Sequence, residues 1–102
     1  MSCECQRWSA VATERDGARE LRVTCECECT STGHRLRLEP GNPGINPQPG
    51  EVVLELWVEE PQAGGSAMTA ERVELTTTVW REARYVVIRG ANLDGPVPIE
   101  DA

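Results

Sequence analysis

The chain has 102 residues, no phenylalanine, ten basic residues that are all arginine, and a formal net charge of -7. The length fits one domain spanning residues 1–102. The lack of lysine excludes Schiff-base and P-loop lysine chemistry, and the acidic balance without a basic, aromatic-studded patch argues against nucleic-acid partners.

No apolar run is long enough to cross a bilayer, and the N-terminus lacks the basic start and apolar stretch of a signal peptide, so a cytoplasmic, membrane-free protein is expected. The odd count of five cysteines agrees with a reducing compartment, because a disulfide framework normally uses an even number. Leu, Ile and Val make up only about a fifth of the chain, close to the composition of a disordered sequence. Strong patterning and three tryptophans pull it back to a folded domain of modest stability.

The first element is a hairpin. Asp16-Gly17 is a type I′ turn signal between Cys5 to Arg15 and Ala18 to Thr30, and Glu20 to Thr30 alternates apolar and polar residues for eleven positions. A two-residue turn pairs Ala12 with Leu21, Ala10 with Val23 and Trp8 with Cys25 on the dry face. It sets Thr13 against Glu20, Ser9 against Thr24 and Arg7 against Glu26 on the wet face. A three-residue turn with Gly17 in a G1 bulge instead sets Cys5 opposite Cys27 and Cys3 opposite Cys29, and turns Trp8 to the wet side.

After the turn Ser31-Thr32-Gly33, His34 to Glu39 reads as a strand with Leu36 and Leu38 inward. Residues 40–50 carry too much proline and glycine for a ladder and form a long loop. Glu51 to Glu60 follows as a strand with Val52, Leu54, Leu56 and Val58 on its dry side and Val53, Glu55, Trp57 and Glu59 on the other. Pro61 to Thr69 is a connection, and Arg72 to Trp80 is a strand that turns through Arg81-Glu82-Ala83 into a hairpin partner, Arg84 to Arg89. One more short strand fits at Val97 to Glu100. Six or seven short strands with one dry face each predict an all-β, two-layer antiparallel sandwich, immunoglobulin-like in architecture, with a small barrel as the alternative.

Chemistry concentrates in the cysteines. Cys25, Cys27 and Cys29 share one strand face, where free cysteine ordinarily packs as a small apolar residue. With Cys3 and Cys5 they are also a candidate thiolate set for zinc or copper(I), because soft ions select sulfur and Cys-x-Cys puts two sulfurs on one side of a strand. Thiol exchange at Cys3 and Cys5 lacks the spacing that activates thioredoxin-type sites. His34, the only histidine, lacks the other parts of an acyl-transfer site, and the acidic pairs Glu26/Glu28 and Glu55/Glu59 read as solvated strand surface, so no enzyme is expected. The leading expectation is an interaction or self-assembly module with no cofactor, binding another protein or a second copy through an outer face bearing Trp57, Trp80, Val53, Val86 and Ile88.

Overall fold

The computed structural model describes residues 3–30, 33–41, 48–59, 68–91, 93 and 95–102. It contains seven strands: β1 (Cys3–Arg15), β2 (Ala18–Cys29), β3 (Arg35–Pro40), β4 (Glu51–Glu59), β5 (Thr69–Val79), β6 (Tyr85–Arg89) and β7 (Val97–Asp101). They form one hydrogen-bonded sheet in the order β3-β4-β6-β7-β1-β2-β5, and its outer strands β3 and β5 lie alongside each other. The fold is therefore a nearly closed seven-strand barrel.

This corrects the two-layer sandwich and its immunoglobulin-like arrangement. The reason lies in β7, which pairs antiparallel with β6 through Tyr85↔Pro98 and Val86↔Val97 and parallel with β1 through Ala10↔Ile99 to Ala12↔Asp101. It welds what would be two sheets into one curved sheet, the closure that removes open edges in small barrels. The hairpin expected through Arg81-Glu82-Ala83 is also absent: β5 runs antiparallel to β2, whereas β6 runs parallel to β4. β6 is followed by Gly90, whose φ is +85° and where a Cβ would come within 2.6 Å of the Leu56 carbonyl oxygen, so the close approach to β4 requires glycine.

Inward-facing rows follow from register. Ala12, Leu21 and Thr77 make one row across β1, β2 and β5, and Ala10, Val23 and Leu75 make the next. From the opposite wall come Leu38, Val52, Leu54, Leu56, Val86 and Ile88, giving a core in which Leu21, Val23, Leu54 and Val86 are fully buried. Val53 is buried as well, because the chain at Gly41 closes over it, with its amide donating to the Val53 carbonyl at 2.8 Å.

Arg19 holds the end of the barrel near the Asp16-Gly17 turn. It falls on the inward parity of Leu21 and Val23, and its side chain is only 10% exposed. Nη1 donates to the carbonyls of Trp80, Arg81 and Ala83 at 3.1, 3.1 and 2.8 Å, while Nε and Nη2 donate to Asp101 Oδ1 at 3.3 and 2.9 Å. One guanidinium thus ties the exit of β5 to the end of β7, and its planar fork satisfies carbonyls that the change of strand direction leaves without ladder partners. Arg19→Ala should lower stability by about 2–4 kcal/mol, read from the urea midpoint, and Arg19→Lys should recover little of it, because an ammonium cannot span both groups of acceptors.

Candidate functional site

The β1–β2 hairpin contains both registers that the sequence allows, in different halves. From Arg15↔Ala18 to Ser9↔Thr24 the pairing is that of the two-residue turn, with Asp16 and Gly17 at φ +52° and +80° as a type I′ turn requires. Between Gln6 and Ser9 the register shifts, so Arg7 and Trp8 together oppose Cys25. Beyond that bulge Cys5 pairs with Cys27 and Cys3 with Cys29, the thiol pairs expected only of the other turn. Arg7 takes φ +58°, the left-handed conformation that glycine ordinarily supplies at such a bulge.

One extra residue re-aims the side chains of β1. Cys3 is buried and Cys5 half-buried on the inner face, level with Cys29 and Cys27. Trp8 stays half-buried against the core, with its buried indole N–H unpartnered among the described residues, while Arg7 reaches Glu26 on the wet face at 3.0 Å.

Four of the five cysteines are paired. Cys3–Cys29 and Cys5–Cys27 are disulfides across directly opposed residues, with Cα separations of 4.0 and 3.9 Å, and Cys25 is a buried free thiol. The odd count therefore does not speak against a disulfide framework, and the picture of all five as free thiolates is corrected. Two bridges and one leftover thiol account for the number.

Their arrangement is compact. The sulfurs of Cys5, Cys25 and Cys27 all lie within 4.8 Å of one another, and those of Cys3 and Cys29 lie equally close to a ring nitrogen of His34. Cys25 Sγ is 3.7 Å from Cys27 Sγ. β5 supplies the third member of each row: Val73 beside Cys25, Glu71 beside Cys27 and Thr69 beside Cys29. Glu71 is exposed, so water reaches this end of the barrel, which lies beyond the short ladder of β7 on β1.

Burial pushes the Cys25 thiol up to about 11, partly offset by a hydrogen bond with the Val73 backbone. At neutral pH it is a protonated, poorly nucleophilic thiol.

The residues expected on an outer apolar face divide. Trp57 and Trp80 are 49% and 46% exposed, but Val53, Val86 and Ile88 are 6%, 0% and 7% exposed and belong to the core. Trp57 lies under the Arg37 guanidinium, 5.9 Å from ring centre, beside an open groove of about 390 Å³ that also involves Arg35, Leu36, Val58 and Glu59. The Trp80 indole donates to the Pro49 carbonyl, so it is anchored to its own chain. Sequence reasoning missed Arg19, although a lone arginine on the inward parity of β2 was a readable signal.

Comparison of the chain with protein-family models, with curated proteins and with solved structures finds no match.

Peptide mapping of unreduced protein should recover the Cys3–Cys29 and Cys5–Cys27 links, with Cys25 alone alkylated after denaturation; a Cys25-containing bridge would contradict this site. Because the folded chain holds the Cys25 proton longer than the unfolded chain, that contribution to stability is complete below about pH 9 and is lost as pH rises through about 11. It amounts to on the order of 2–3 kcal/mol. Denaturant midpoints taken below and above this window should fall further for the native chain than for Cys25→Ala.

Proposed function

We propose that this small all-β domain is a thiol-based metal-binding module whose reduced form takes copper(I) on Cys5, Cys25 and Cys27. The observation that carries the reading is the cluster of these three sulfurs within 4.8 Å, on neighbouring strands and largely out of water. An all-sulfur set favours a soft ion. Three donors fall one short of the tetrahedral set that structural zinc sites use, which supports copper(I) over zinc here. Cys3, Cys29 and His34 form a second, mixed sulfur and nitrogen group beside the first.

Loading requires reduction. A dithiol reductant cleaves each S–S bond by thiol–disulfide exchange, passing two electrons and two protons to a cysteine pair and leaving as its own cyclic disulfide. Copper(I) then replaces the thiol protons as its bonds to sulfur form, including the tightly held proton of Cys25. In the oxidised chain Cys5 and Cys27 are joined to each other and Cys25 alone remains a thiol, so that form does not offer the three-sulfur set.

The aromatic surface supports an interaction module less well. Three of its five expected members are buried and Trp80 is tied to Pro49, which leaves Trp57 and its Arg37 neighbour as a small exposed remnant.

Anaerobic titration of reduced protein with copper(I), against a chromophoric copper(I) chelator, tests the reading. One ion should bind per chain at the three-sulfur set, Cys25→Ser should weaken it by more than about tenfold, and unreduced protein should bind none. Unchanged affinity in Cys25→Ser would overturn the assignment.

A further inference from the structure

The bulge at Arg7–Trp8 gives the β1 arm two ways to pair with β2, and only one of them builds the sulfur cluster. In the observed pairing Gln6 opposes Glu26, Glu4 opposes Glu28, and Cys3 and Cys5 face inward. If the regular register of Ser9–Arg15 continued without the extra residue, Gln6 would oppose Cys27 and Glu4 would oppose Cys29. Cys5 and Cys3 would then point outward, opposite Glu28 and Thr30. Arg7 would face Glu26 directly, so the ion pair seen on the wet side suits either register.

The bulged register carries local costs. Arg7 sits at φ +58°, a conformation disfavoured for a residue with a Cβ, and the buried Trp8 indole N–H has no partner among the described residues. A bulge also interrupts the ladder that a continuous strand pair would complete. Against these stand the burial of Cys3 and Cys5 and, above all, the two covalent bridges, which can form only in this register. The regular register would turn Gln6 and Glu4 inward, but at an end where Glu71, on the inner row, is already exposed to water.

We infer that the bulge is a redox-dependent register switch: reduction of the Cys3–Cys29 and Cys5–Cys27 bridges lets the arm at residues 3–7 slip by one residue into a continuous ladder, withdrawing Cys5 from the cluster, and a soft ion draws it back. The inference rests on the metal reading for its biological purpose, since it makes the site open when reduced and empty, and ordered when loaded. The slip itself needs no metal.

Cross-strand backbone contacts measured by NMR on the full chain decide it, in three states: oxidised, reduced without metal, and reduced with copper(I). In the oxidised protein Gln6 should contact Glu26. In the reduced, metal-free protein the contact should move to Cys27, and Cys3 and Cys5 should become open to alkylation while Cys27 and Cys29 stay protected. Arg7→Gly, which removes the Cβ from the left-handed position, should keep Gln6 opposite Glu26 even when reduced. Retention of the Gln6–Glu26 contact in the reduced native chain overturns the switch. So does the loss of every cross-strand contact from residues 3–6, which would mean a frayed arm. A slip that copper(I) fails to reverse overturns the ion's part in the switch and the metal reading with it, while the redox-dependent slip holds, so the two ideas fail separately.

Discussion

The direction in which Cys3 and Cys5 point is decided by a single inserted residue in β1, and the inner surface of the barrel end depends on it. Strand side chains alternate with period two, so an odd offset inverts every residue beyond it. Near the turn, Ala10 and Ala12 are small and lie opposite Val23 and Leu21, which fixes the inward face of the central hairpin. Past Arg7 the same strand would show its cysteines to water without the bulge. The bridges and the left-handed Arg7 are therefore mutually dependent: the extra residue brings the sulfurs into line, and the covalent links hold a backbone conformation that arginine would otherwise avoid.

Closure of the barrel follows a second constraint, set at the opposite end. The C-terminal strand is only five residues long, yet it joins both halves of the sheet. Its end is held by Arg19 through Asp101, and Arg19 also binds the segment that carries the chain from β5 across to β6. The Gly50 carbonyl, which accepts from the Arg84 and Tyr85 amides, joins that grip in leading the chain from β5 to β4 in place of the hairpin its sequence suggests. A buried cation is favourable here because the guanidinium meets oxygen acceptors along two of its edges; a cation without them would be destabilising.

How much could be read from sequence varied with the range of the contact. Strand positions were legible to within a few residues, because alternation and the turn residues Asp16-Gly17 are local signals. Sandwich and barrel share that alternation, and only the non-local parallel pairings of β7 with β1 and β4 with β6 separate them; nothing in those segments advertises a parallel neighbour. At the site, both hairpin registers were legible but treated as rivals over the whole length. A bulge lets each hold in its own half, and Arg7, a residue without the usual glycine signature of such a bulge, hides it. Val53 was misplaced for another reason: parity gives the side of a strand, not whether a neighbouring segment covers that side.

Chain entropy accounts for only part of the sulfur content. Bridging Cys3 to Cys29, 26 residues apart, stabilises the fold by about 3.5 kcal/mol in the loop-closure model. The Cys5–Cys27 bridge lies inside that loop, and once the outer link exists it closes only a short remaining ring and adds far less. Cys25 adds no link at all and could be replaced by valine or alanine if packing were its whole task. A second, nearly redundant bridge and an unpaired thiol 3.7 Å from it make poor sense as reinforcement. Under the proposed copper(I) reading both are donors, because a soft ion is held by the number and proximity of sulfurs and is indifferent to how much loop each one closes.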